Sequence, residues 1–343
     1  MTDTFPALPA RCHDLLLRLA GAVPDDVLTA ARTHLAHHRF AEAAQAVRDA
    51  VAGGAAPISA ADRELLEDLS SGDVPAAGPD APSEDADLTT AVLEFSPELP
   101  DAEGTTAVML DLSGQPDQLD EIDGVVVSAV GQIPGSTALW RAWRWGAPGQ
   151  PSSEPVRVYL LLTDDAAGRP DACDRAQSAL ATAGVADPQV EVFHDGTALP
   201  PYQRQALGRS ALLWTTGGSA PVNIARVFDS YHDVTGGSFA ADRPTLAGAE
   251  LEQVALYLES GSVLLATGTL DPDPFDEGLG PIVPVTVRTD GQWVWNDAVV
   301  YFLRTYAISP DAELLEHIRT RRYRIAEPGL VAEHRALAAL FRP

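Results

Sequence analysis

His194, His232 and Ser219 are the side chains with which this sequence could assemble nucleophilic chemistry. His194 is followed by Asp195 and His232 by Asp233, so each imidazole has a carboxylate beside it. Ser219 follows Gly217-Gly218, which reads as a flexible turn that could present backbone donors. A hydrolase made from these parts would use one histidine as general base on the serine hydroxyl, with an aspartate orienting the ring. Two features oppose it. Adjacent His and Asp do not usually hydrogen-bond in that geometry, and no G-x-S-x-G elbow is present. The same residues suit turns in which Asp and Gly satisfy local backbone groups, so the sequence assigns no catalytic residue.

Asp271, Asp273, Asp276 and Glu277 offer the hard oxygen ligands of a calcium or magnesium site. Their spacing matches only the opening of an EF-hand loop, lacks the later bidentate Glu, and is stiffened by two prolines; a solvated loop accounts for it as well. His34 and His38 form an i, i+4 pair on a helix with His37 between them, but no Glu or third ligand completes a zinc site. No metal is assigned. With no dinucleotide fingerprint and no paired Cys-x-x-Cys, no cofactor is expected either.

Aromatic and arginine side chains offer recognition instead. The stretch ALWRAWRWG alternates strictly, with Arg141, Trp143 and Trp145 on one face and Trp140, Ala142 and Arg144 on the other. Trp and Arg are enriched at binding hot spots, which makes Trp140, Arg141, Trp143, Trp145, Trp293 and Trp295 the candidate binding residues. A sheet covered on both faces would explain the strand equally well. Arg319, Arg321, Arg322 and Arg324, around Tyr323, are the one dense basic patch, and pairing with the chain's own acids is the plain reading.

The charge balance narrows the classes. The 343 residues carry 49 acids against 23 bases, a net charge of −26, and every base is arginine. The absence of lysine excludes a catalytic or Schiff-base lysine and a Walker-type phosphate loop. So acidic a protein is repelled by nucleic acid and by anionic membrane surfaces, and its natural partners are basic proteins, cations, or none. No run reaches the ~20 apolar residues that span a bilayer, and the start MTDTFPALPARCHDLLLRL does not read as a signal peptide. Cys12 and Cys173 read as buried thiols, and a cytoplasmic location is expected.

These residues need elements to hold them. The length suits two or three domains, and the pattern reads as an α+β protein. Residues 1–72 read as a small helical domain of four helices, with Pro24-Asp25-Asp26 opening the second and Ser59 starting the fourth. Residues 73–88 read as an acidic Pro/Ala-rich linker, with an edge strand near 89–95. Within 89–216 the order is β-α-β-β-α-β, that of a ferredoxin-like sandwich, followed by a helix from Pro201 to about Trp214. An open α/β sheet is the alternative. Residues 217–343 read as a mixed α/β domain in which 271–281 is a loop. Its clearest signal is a hairpin from Val285 to Trp295, turning at Asp290-Gly291, then a helix capped by Asn296 or Asp297 and another capped at Ser309-Pro310-Asp311.

From about residue 250 to 323 the chain resembles the C-terminal segment of actinobacterial proteins that accompany polymorphic toxin systems, some of them regarded as immunity proteins. The likeness rests on the turn Thr289-Asp290-Gly291, the Trp293 and Trp295 pair, the Tyr301 helix and the Pro310 cap. It implies an immunity or accessory role and supplies no catalytic residue. The expectation is therefore a non-enzymatic protein-binding factor that engages a basic partner through acidic and aromatic surface. A hydrolase or metal-dependent enzyme using His194, His232 and Ser219 or the Asp271 cluster, and a structural adaptor, are the other readings.

Overall fold

The computed structural model describes residues 8–52, 58–71, 93–100, 106–146, 154–196, 198–232 and 236–342. The chain divides into two compact units, Met1–Ser219 and Ala220–Pro343. The expected linker over 73–88 lies outside the described residues.

The first unit opens with four helices, α1 (Leu8–Leu19), α2 (Asp25–Ala36), α3 (Phe40–Ala52) and α4 (Ala60–Ser71). The Ser59 hydroxyl accepts the Asp62 amide at 3.0 Å, the cap that the sequence announces. Leu15, Leu16, Leu19, Leu28, Leu35, Val47, Leu65 and Leu66 close the helical core. There follow β1 (Glu94–Ser96), β2 (Leu110–Asp111), α5 (Glu121–Val130), β3 (Ser136–Trp145), β4 (Val156–Thr163), α6 (Arg169–Thr182), β5 (Gln189–His194), α7 (Pro201–Leu207) and β6 (Ala211–Thr215). From β2 to β5 this is the β-α-β-β-α-β succession of a ferredoxin-like fold. The sheet is ordered β2-β6-β3-β4-β5, with β1 paired to the far end of β3. Its β6 separates the first and second strands of that succession.

β6 corrects one expectation. The helix read from Pro201 to Trp214 stops at Leu207, where Gly208 is its C-cap, and Ala211–Thr215 is a strand between β2 and β3. A short apolar run such as ALLWT has no period that separates helix from strand.

Side chains alternate across this sheet. Val190 and Val192 face α5 and α6 in one core. Gln189 and Glu191 face the other way, where α1, α2 and α7 lie. There the Gln189 amide donates to Asp25 O and Thr29 Oγ1. His13 Nε2–H donates to Val192 O at 2.7 Å. Arg32 on α2 reaches Glu191 through one nitrogen, at 2.6 and 2.7 Å to its two oxygens. Gln203 on α7 donates to Glu191 and to Leu17 O, both at 2.9 Å. The segment 1–72 and the sheet thus share one unit, stitched by polar bonds through an otherwise apolar contact.

The second unit holds β7 (Asn223–Ile224), β8 (Ser230–His232), β9 (Gly236–Ser238), α8 (Gly248–Glu259), β10 (Ser262–Leu265), β11 (Leu270–Pro272), β12 (Pro281–Pro284), β13 (Val287–Thr289), β14 (Trp293–Asn296), α9 (Ala298–Tyr306), α10 (Ala312–Thr320) and α11 (Leu330–Leu340). A four-stranded sheet runs β10-β13-β14-β7, and β8-β9 and β11-β12 form two separate ribbons. The β13-β14 hairpin pairs Arg288 with Trp295. Only Gly291 in its turn takes a positive φ, +88°, where two such angles at Asp290-Gly291 were expected. Asn296 Oδ1 accepts the Ala298 amide at 2.7 Å and Asp311 accepts the Glu313 amide at 3.0 Å, so both expected caps form.

Trp295 is the keystone of this core. Its indole donates to Leu258 O at 3.1 Å, and its ring lies where a Cβ on Gly261 would have to go. Gly261→Ala is therefore expected to cost the second unit about 1–3 kcal/mol through overpacking, read as a lower thermal midpoint. Among the described residues, no helix is long and apolar enough to cross a membrane.

Candidate functional site

Of the hydrolase parts, Ser219 and His194 do not converge. His194 ends β5, and its Nδ1–H donates to the carbonyl of Asp195 at 2.6 Å, while Asp195 Oδ1 takes the Gly196 amide. This is a turn. Ser219 lies beside Gly114, which follows β2, at the edge of the sheet opposite β5. Strand spacing alone separates those edges by roughly 15 Å or more. His232 belongs to the second unit, and Asp233 lies outside the described residues. A Ser219/His194 pair is thereby corrected: the intervening strands keep them apart.

The aromatic candidates are core. Trp140 is fully buried and stacks on Phe193, with ring centroids 6.3 Å apart. Trp143 is buried under the Arg157 guanidinium, 4.5 Å from its ring centre, and Trp145 is half-buried against β1. Arg141 is buried, paired with Asp123 and donating to Pro97 O at 2.9 Å. Trp293 and Trp295 are buried as well. None of these four buried indoles presents a face to a partner, so of the two readings of the strand the covered sheet is the one observed and these four drop out as binding candidates. The alternation was right, but both faces of β3 are covered.

The basic patch pairs inward at Arg319, 2.8 Å from Glu250, which also accepts from Tyr323. His37 bonds Thr33 O on its own helix. Among the described residues no three His, Cys, Asp or Glu gather as a metal ion would require.

Asp290 has a second role that its turn position hid. Its carboxylate accepts from Tyr257 Oη at 2.5 Å, His317 Nε2 at 2.6 Å, and the amides of Gln292 and Trp293. Burial alone would raise this carboxyl, but the bonds from Tyr257, Trp293, Gln292 and His317 outweigh it and hold the group below the usual range. The trio Tyr257-Asp290-His317 looks like an oriented general base. Its bonds, however, all run between the hairpin, α8 and α10, which makes it a fastening.

The Asp271 cluster gives the feature that faces outward. The segment expected as a loop is one over 273–280, where it joins the short strands β11 and β12, and this ribbon places Leu270, Phe275, Leu279 and Ile282 in solvent, with Phe275 53% and Leu279 52% exposed. Among the described residues, the exposed large apolar side chains other than Leu99 and Phe341 lie between Ile224 and Ile282. Asp271 and Asp276 are exposed on the same ribbon, and no base occurs from Gly268 to Pro284. Asp273 turns inward and is fully buried. It accepts from Tyr306 Oη at 2.5 Å, Tyr301 Oη at 2.8 Å and the Phe275 amide at 2.8 Å. Burial opposes its charge, yet the Tyr306, Phe275 and Tyr301 donors prevail and lower its pKa. Phe275 lies parallel to Phe239, with centroids 5.7 Å apart, and 4.7 Å from the Tyr306 ring.

The ribbon could have been suspected from Phe275, Leu279 and Ile282 interrupting an otherwise polar, proline-rich stretch. Compared with known proteins, the chain matches no family model, no curated protein and no solved structure.

Proposed function

We propose that this chain is a non-enzymatic protein-binding factor whose second unit engages a basic partner protein through the β11-β12 ribbon. The observation that carries this is the grouping of exposed Leu270, Phe275, Leu279 and Ile282 beside Asp271 and Asp276. Each such side chain gains about 1.5–3 kcal/mol when fully covered, so even partial burial of four supplies binding energy. The acidic side chains of the ribbon, with no base from Gly268 to Pro284, select the occupant. A second copy of a chain carrying −26 would bring like charges together, and nucleic acid or an anionic membrane would be repelled. A basic, apolar-centred protein surface is complementary. An immunity or accessory role, as the resemblance over residues 250–323 implies, would work through such occlusion without making or breaking bonds.

Affinity capture with the full-length tagged chain at low and high salt tests this. The wild type is expected to retain a stoichiometric partner that salt releases. Phe275→Asp and Leu279→Asp should each weaken retention about tenfold or more. Leu279→Asp should leave the thermal midpoint unchanged, whereas Phe275→Asp should also lower it slightly through the lost contacts with Phe239 and Tyr306. Full retention by both variants would exclude the ribbon as the docking surface.

A further inference from the structure

The ribbon pairs only with itself. β11 and β12 form a two-stranded sheet with no strand hydrogen bonds to the four-stranded sheet of the same unit. An isolated hairpin is marginal in water, so something else must hold it in one posture. Buried Val283 and the Phe275 ring contacts with Phe239, Phe302 and Tyr306 contribute packing. The directional bonds come from Asp273. One carboxylate oxygen takes both tyrosine hydroxyls of α9, and the other takes the amide of Phe275, the residue whose ring the surface exposes.

We infer that Asp273 is the positioning residue of the docking surface: clipped to α9 by Tyr301 and Tyr306, it sets the posture in which Phe275 meets a partner. This rests on the reading of the ribbon as that surface. The clip has two properties suited to the role. It joins the ribbon to a rigid helix whose Phe302 is buried, so the exposed side chains are referenced to the core. It also ties Phe275 to the carboxylate two residues before it, so that loss of the tyrosine bonds releases the exposed ring and its backbone together.

The test uses the full chain with Tyr301→Phe/Tyr306→Phe, which keeps both rings and removes both hydroxyls, and with Asp273→Asn. Amide exchange of residues 275–280, followed by mass spectrometry, reports the ribbon, the thermal midpoint reports the fold, and partner retention reports docking. The double variant should exchange roughly tenfold faster in the ribbon, in line with the loss of bonds to a charged acceptor. Exchange in α8 and β14 should stay unchanged, with retention lowered. Tyr301→Phe alone, which keeps the Tyr306 bond, should fall between. Unchanged ribbon exchange in both the double variant and Asp273→Asn overturns the clip. Faster exchange with full retention overturns Asp273 as the positioning residue, and the docking reading falls with it only if Phe275→Asp and Leu279→Asp retain the partner too.

Discussion

Glu191→Ala is expected to destabilise the first unit by about 3–5 kcal/mol, a large share of the roughly 5–15 kcal/mol that holds a folded domain. Arg32 is only 1% exposed, and its remaining nitrogens, Nε and Nη1, have no hydrogen-bond partner among the described residues. Removing Glu191 therefore strands a charge in the interior and also deprives Gln203 of an acceptor. The pair itself adds little net stability, because desolvating two ions offsets most of their attraction. Replacing both partners, as Arg32→Met with Glu191→Leu, should accordingly recover most of the loss. Urea midpoints of the single and double variants check this. A double variant as unstable as the single one would show that the bonds, and not the stranded charge, carry the effect.

The second large effect is a pH dependence. His13 is buried, and burial pushes its imidazole down to about 3, with Arg169 and Arg32 nearby adding to the fall and the bond to Val192 O opposing it. Nε2 already donates to that carbonyl, so a second proton would go to Nδ1, which has no acceptor among the described residues. The folded state refuses a proton that the unfolded chain takes up below its ordinary value of 6.5. Stability should thus fall as pH drops from about 6.5 toward 3, by at most about 1.4 kcal/mol per pH unit. His13→Gln, which retains a donor for Val192 O and cannot titrate, should flatten this limb between pH 6 and 4. Parallel wild-type and variant curves across that window would sink the assignment.

Periodic patterns were the legible part of this sequence. The β13-β14 hairpin, the caps at Asn296 and Asp311 and the alternation along β3 were all readable, because each rests on local geometry and a handful of adjacent residues. What lay hidden depends on residues distant in the chain. The ALLWT strand is a strand because β2 and β3 flank it, a fact invisible in five apolar letters. Trp140 and Trp143 could be placed on opposite faces, but nothing in the pattern says that helices cover one face and other helices the opposite one. Asp290 was legible as a turn former and illegible as the acceptor for Tyr257 and His317. Asp273 was grouped with three neighbouring acids in a cluster read as an ordinary solvated loop, since spacing along a chain does not reveal which carboxylate turns inward.

The placing of β6 has a consequence for how the first unit comes into being on the ribosome. β2 has β6 as its sheet neighbour, about a hundred positions later in the sequence, and β6 also completes one side of β3. A nascent chain that has emerged only as far as α7 holds every helix of this unit, yet β2 has no place to dock and the long third strand keeps an open flank. Closure waits for a late, sequence-distant pairing of the slow kind, and during that interval the aromatic-rich strand is the stretch that a holding chaperone would be needed to shield.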